Sequence, residues 1–250
     1  EGGSIYGLVG PNGAGKSTIL RHITGIYRPD SGSVRVDGQP VYENPAVKSR
    51  MAWIPDELYY FLSASTRDMM KFYRGLYPQF DDKRYQALKD VFTTVDERQS
   101  IRRLSKGMQK QSAFWLALCC RPDVLVLDEP AAGLDPEGRD TILSQIKDYH
   151  KKTGITVLLV SHSMEDIAKY ANRVLVMHRA KIAMYDTVEN VFARAQELLE
   201  LGLSVPQVTQ IFLKLRQMGL DIPADVYTIP YAVKTIQKAL AAKQGGGANA

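Results

Sequence analysis

"GPNGAGKST", Gly10 to Thr18, decides how this chain is read. The spacing is G-x-x-x-x-G-K-S, and it sits between the apolar "SIYGLVG", which reads as a short buried strand, and "KSTILRHITGI", which reads as a helix with Ile19, Leu20 and Ile23 on one side. Strand, glycine-rich turn and helix are the context in which such a loop can wrap its backbone N–H groups around phosphate oxygens at the positive end of the helix. Gly10, Asn12, Gly13, Ala14, Gly15, Lys16, Ser17 and Thr18 are the candidate nucleotide-binding residues. Among them Lys16 reaches the β and γ phosphates of a nucleotide and Ser17 ligates Mg²⁺.

Working outward, "VLVLDEP" supplies a run of apolar residues followed by two consecutive carboxylates, Asp128 and Glu129, at what reads as the carboxyl end of a strand. That is where open α/β sheets bind ligands. Asp128 is assigned to hold Mg²⁺ through water, and Glu129 to orient and deprotonate an attacking water. Between these motifs lies "RRLSKGMQKQSAFWLALCC", in which Ser105 and Gly107 precede an amphipathic run. On residues alone they read as an ordinary helix cap, and alternatively as a hydroxyl and a bare backbone offered to a second phosphate.

The 250 residues suffice for one large α/β domain with a small appendage. The net charge of +5 is mild and spread, which suits nucleotide phosphates or an anionic membrane face. No apolar run approaches the roughly 18–20 residues of a spanning helix. Cys119 and Cys120 are adjacent in an apolar helical stretch, where they pack as small hydrophobes and point to the cytosol. The first residues lack an initiator Met or signal peptide and start on the strand itself, which reads as one edge of a longer chain.

"RMAWIPDE" and "ITVLLVSH" are further strand candidates, "NRVLVM" and "AKIAMYD" a final pair, and Val34 and Val36 alternate as in a half-buried strand. Residues from about Tyr59 to Ser100 lack alternation and read as a helical insertion. Beyond about Ala193 the pattern is wholly helical. Ser204 with Gln207 makes a capping box, Gly219 stands where a helix stops, and Thr228 opens another helix carrying Ala232, Ile236 and Leu240.

The phosphate loop, "LSKGMQ", "LVLDEP", "AAGLDP" and "LLVSH" follow one another as in the nucleotide-binding subunits of ABC transporters, and the chain resembles that family over roughly residues 1–190. The resemblance implies an α/β fold, a P-loop NTPase sheet with helices on both faces and an inserted helical subdomain, to which the helical pattern beyond about Ala193 adds a small C-terminal helical domain. The corresponding division is a nucleotide-binding domain at 1–192, with its helical subdomain at about 59–121, a helical domain at 193–243 and a disordered tail at 244–250. It implies a Mg-dependent ATPase that forms a head-to-tail dimer, with ATP on one subunit's loop closed over by the partner's Ser105 and Gly107. Asp135 then lines the dimer seam, and His162 contacts the γ phosphate and the attacking water. Lys106 and Met108 replace the usual Gly and Gln of the signature. Asp56 stands where the γ-phosphate-sensing loop usually carries Gln, and it is assigned with Ser17 and Asp128 to the metal.

ATP and Mg²⁺ are the implied cofactors. A transmembrane permease and a second nucleotide-binding subunit are the implied partners, and no nucleic acid is expected. The implied location is the cytoplasmic face of the cell membrane, held there by the permease. "DELYYFLSASTRDMMKFYRGLYPQF" resembles ATPases paired with exporter or antibiotic-resistance permeases, with Tyr59, Tyr60, Phe61, Phe72, Tyr73 and Tyr77 as candidates for the groove that receives the permease. "LLELGLSVPQVTQIFLKLRQMGLDIP" instead resembles the tail of energy-coupling-factor importer ATPases, which points to the opposite direction of transport. Two alternatives stand beside the transporter motor: a soluble ABC ATPase acting on nucleic acid or ribosomes, and a weakly active ATP-binding partner in a heterodimer.

Overall fold

The computed structural model describes residues 2–58, 61 and 63–245. It divides into two compact units, one comprising residues up to Tyr6 with Lys16–Val160, the other Gly7–Gly15 with residues from Ser161 onward.

Strand β1 (Ile5–Val9) contributes its first two residues to the first unit, followed there by α1 (Lys16–Ile23), the short hairpin β2 (Arg35–Val36) and β3 (Gln39–Pro40), α2 (Pro45–Lys48), and β4 (Met51–Ile54). Then come α3 (Thr66–Leu76), α4 (Asp82–Lys89), a 3-10 turn at Ile101–Arg103, α5 (Lys106–Cys119), β5 (Val124–Asp128), α6 (Pro136–Thr153) and β6 (Thr156–Val160). Strands β4, β5 and β6 are parallel neighbours, Met51 pairing with Val124 and Val124 with Thr156, so their carboxyl ends align. The run Leu125–Leu127 is fully buried, as a strand covered on both faces requires. The start of β1 joins them through the Val157 N–H donating to the Ser4 carbonyl at 3.0 Å.

Helix α5 anchors the helical insertion. Trp115 is completely buried, stacks on Tyr85 at 4.6 Å between centroids and donates Nε1–H to the Tyr85 carbonyl at 2.9 Å. Helix α3 begins on a capping box, Ser65 and Asp68, whose side chains reciprocally satisfy each other's backbone N–H. Cys119 and Cys120 are buried free thiols, and burial pushes Cys120 up to about 12.

The second unit contains the remainder of β1, α7 (Met164–Tyr170), the antiparallel pair β7 (Arg173–His178) and β8 (Lys181–Thr187), and α8 (Val188–Ala193), α9 (Ala195–Glu200), α10 (Gln207–Gln217) and α11 (Ile229–Gly245). The capping box expected at Ser204 and Gln207 does not form. Pro206 takes the N-cap position and has no side-chain donor or acceptor, and the Gln207 N–H is instead satisfied by Glu165 Oε1 at 3.2 Å. Phe212, Val226 and Ala232 make a small core for α10 and α11, and Thr209 Oγ1 donates to the Val226 carbonyl at 2.8 Å. Helix α11 continues through Gly245, two residues into the expected tail 244–250, and residues 246–250 lie outside the described residues.

Candidate active site

In the first unit, the parallel register sets Asp128 opposite Val160, and it places Asp56 and Glu129 just beyond the ends of β4 and β5. Helix α1 begins at Lys16 with Ser17 and Thr18 exposed in its first turn, and no acidic side chain occupies that turn to neutralise the helix's positive end. Lys16 is only 9 % exposed. Burial pushes its ammonium below the usual lysine range, while Glu129 and then Asp128 pull it back toward the charged form. These three residues therefore gather in one electrostatic neighbourhood, a cation facing two carboxylates.

Glu129 is held in an unusual backbone conformation, φ +48°, in the left-handed region that costs non-glycine residues energy. Its N–H donates to the Val160 carbonyl at 3.1 Å, and its carbonyl accepts from the Ala132 N–H at 3.0 Å and from Lys110 Nζ at 2.6 Å. The same Nζ lies 3.3 Å from Asp56 Oδ1. Lys110 escapes a sequence reading because it follows the signature inside an ordinary amphipathic run. Its spacing of three from Gly107, which puts both on one helix face, is the available signal.

Ser105 caps α5, its Oγ accepting from the Met108 N–H at 3.2 Å, so the plain cap reading holds. Asp135 caps α6 in the same way, Oδ1 accepting from the Gly138 N–H at 3.1 Å. A Cβ on Gly107 would come within 2.9 Å of Leu134 Cδ2, which brings the signature turn against the segment leading to Asp135. Lys106 occupies the first helical position of α5 without a positive φ, so this backbone has no need of a glycine there.

In the second unit, the glycine loop packs on the β7–β8 turn. A Cβ on Gly10 would meet the Met177 carbonyl oxygen at 2.5 Å, and the Ala180 N–H donates to the Ala14 carbonyl at 3.2 Å. Gly13 and Gly15 have φ of +78° and +94°, conformations that L side chains rarely adopt. Asn12 and Gly13 are exposed, and so is His162 on the link that precedes α7.

The first unit also contains a cavity of about 190 Å³ lined by Trp53, Pro55, Leu58, Tyr73 and Tyr77, among others. Tyr73 and Tyr77 stack at 5.6 Å, and burial pushes the Tyr73 hydroxyl up to about 12. Trp53 Nε1 is buried without a hydrogen-bond partner among the described residues. Phe61 and Phe72 instead stand exposed, edge to face at 5.4 Å. Tyr59 and Tyr60 lie outside the described residues.

The donor set fits a nucleotide with its Mg²⁺: a buried ammonium, an exposed serine hydroxyl at a helix start, and a strand-end carboxylate. Among the described residues no three His, Cys, Asp or Glu side chains form a metal cage. Among the described residues no helix is long and apolar enough to cross a membrane.

Residues 1–132 match the family model described as ABC transporter. The energy-coupling factor transporter ATP-binding protein EcfA2 of Symbiobacterium thermophilum is 38% identical over 97% of this chain and 88% of its own length. The protein of the same name from Clostridium tetani is 34% identical over 95% and 86%. Among solved structures, an ATP-binding subunit of an ABC transporter superposes with a TM-score of 0.70 at 21% identity, over 86% of this chain and 89% of that one. The cbiO1 protein of Clostridium perfringens, described as part of the ABC transporter complex cbiONQ, gives 0.66 at 24% identity over 88% and 87%. At these identities the structural likenesses establish the fold.

Proposed function

Because this chain belongs to the ABC transporter family as an ATP-binding subunit, we propose that residues 1–192 form its nucleotide-binding domain and that 193–243 form a small C-terminal helical domain. The chain is the ATP-hydrolysing motor of a transporter, working with a permease. The similarity to energy-coupling factor ATP-binding proteins along nearly the whole chain supports membership of a transporter of that kind. It also supports a cytoplasmic position on the membrane, held there by the permease.

The site assignment is supported by the electrostatic influence of Glu129 and Asp128 on buried Lys16 and by the strand register that sets Asp128 opposite Val160, with Glu129 just past the end of β5. Gly10, Asn12, Gly13, Ala14, Gly15, Lys16, Ser17 and Thr18 bind the phosphates, with Lys16 supplying the charge. Ser17 and Asp128 hold Mg²⁺, with Asp56 beside them. The ion, when bound, neutralises charge on the β and γ phosphates. Glu129 orients the attacking water and accepts its proton, and His162 contacts the γ phosphate and that water. Ser105, Gly107 and Asp135 serve the partner subunit's nucleotide across a head-to-tail dimer. In this chain Ser105 and Asp135 cap α5 and α6, and both are exposed. The cavity bounded by Trp53, Tyr73 and Tyr77 is the seat for a permease segment, because aromatic residues are strong interface anchors.

Replacing Glu129 with Gln and measuring molecular mass in solution tests the scheme. With hydrolysis blocked, Mg-ATP is expected to double the mass, and without ATP the chain is expected to stay monomeric. A variant that binds ATP yet never dimerises rules out self-pairing through Ser105 and Gly107.

A further inference from the structure

Lys110 is 5 % exposed, and the chemistry above gives it nothing to do. A buried ammonium is costly unless hydrogen-bonded and paired. Here one Nζ satisfies both needs, donating to the Glu129 carbonyl at 2.6 Å and facing Asp56 Oδ1 at 3.3 Å. Those partners follow different strands, β4 and β5, and the lysine itself rises from the second turn of α5, whose first turn carries Ser105 and Gly107.

We propose that Lys110 is a positioning residue for ATP hydrolysis, tying the segments that carry Asp56 and Glu129 to each other and to the signature helix. The inference rests on Glu129 acting as the base. The reason for such a tie lies in the backbone. At φ +48° Glu129 sits in a conformation that persists only where its surroundings over-determine it. The Val160 carbonyl holds its N–H, and the Ala132 N–H and Lys110 hold its carbonyl. Removing the ammonium takes a 2.6 Å hydrogen bond from that carbonyl and the counter-charge from Asp56. The peptide can then rotate toward an ordinary φ, which swings the carboxylate away from its water. Gly107 and Lys110 brace the same stretch, Glu129 to Leu134, so displacement of the signature turn reaches the carboxylate through a single helix. Lys110 touches neither nucleotide nor water; its effect falls on turnover and leaves nucleotide affinity alone.

The test compares full-length Lys110→Met, Lys110→Arg, Glu129→Gln and the double variant Glu129→Gln/Lys110→Met in steady-state hydrolysis and in equilibrium binding of ATP with Mg²⁺. Lys110→Met is expected to lower kcat about 100-fold, the penalty of an ångström-scale misplacement, with the ATP dissociation constant within about three-fold of the parent. Lys110→Arg, which keeps the charge and a donor, is expected to recover part of that loss. In the Glu129→Gln background the Lys110→Met change is expected to cost less than about three-fold further, because the group it positions is already gone. An impaired Glu129→Gln together with an undiminished Lys110→Met overturns the inference alone, as does an equal loss in both backgrounds. A Glu129→Gln variant that hydrolyses at the parental rate overturns the base assignment and this inference with it. Should Lys110→Met not fold, Lys110→Gln, which removes the charge facing Asp56, is read by the same criteria, with reduced kcat at unchanged affinity in support and parental kcat against.

Discussion

Two glycine-to-alanine changes add the same methyl group in different surroundings, and the difference can be worked from the structure. At Gly10 the new Cβ would lie 2.5 Å from the Met177 carbonyl oxygen and 3.1 Å from Ala14 Cβ. Carbon–oxygen contacts sit at about 3.3–3.6 Å, so backbone must move by roughly 0.8 Å. The oxygen belongs to the backbone of β7, at the register shift between Val176 and Met177 in its pairing with β8, and cannot swing aside as a side chain does. Overpacking of this kind costs about 1–3 kcal/mol, and against rigid backbone the upper part of that range applies. For a chain of this size the thermal midpoint is expected to fall by roughly 4–12 °C. At Gly107 the new Cβ would meet only Leu134 Cδ2, at 2.9 Å, the far end of a flexible side chain. There the gain in helix propensity, up to about 1 kcal/mol, offsets the displaced leucine. Gly107→Ala is expected to keep its midpoint within about 3 °C while losing ATP-induced dimerisation in the Glu129→Gln background. Differential scanning calorimetry of both variants without nucleotide decides. Equal midpoints, or the larger loss at Gly107, would refute the packing argument.

Lys16→Met replaces a buried ammonium with an apolar side chain of similar length, so the nucleotide-free midpoint is expected to hold or rise. The stabilisation by Mg-ATP, about 2.7 kcal/mol at 100 times the dissociation constant, is expected to disappear in thermal melts. Glu97 gives a pH dependence. Burial pushes its carboxyl up, but hydrogen bonds from Lys89 at 2.6 Å and the Tyr85 hydroxyl at 2.9 Å outweigh it, and the folded pKa is lowered. Its contribution is therefore fully present above the unfolded value of about 4.3 and is lost as pH falls through the lower folded value. Glu97→Gln is expected to flatten the decline of denaturant-unfolding stability below about pH 4.3, and an unchanged acid slope would contradict the pairing.

The phosphate loop, the Asp128–Glu129 pair, the strand–helix alternation and the helical tail were legible in the sequence, and with them the family. Each is a local pattern: glycines at fixed spacing, an apolar run ending in carboxylates, a period of two or of 3.6. One local reading went astray for a reason outside its window, and a second reached only part of the arrangement. Ser204 and Gln207 match a capping box, yet Pro206 takes the cap and a carboxylate 42 residues away, Glu165, satisfies the helix start. Among six aromatics of the helical insertion the sequence favours Tyr59 to Phe61 as exposed, which holds for Phe61, but only packing puts Tyr73 and Tyr77 on the cavity wall and leaves Phe72 exposed. Lys110 is the clearest case. Its partners are 54 and 19 residues away, and no periodicity distinguishes it from the lysines that face water. Register between β4 and β5 and the packing of α5 beside β4 place that ammonium. Those depend on burying Trp115 and the apolar strands together, a long-range requirement on which a window of neighbouring residues carries no information.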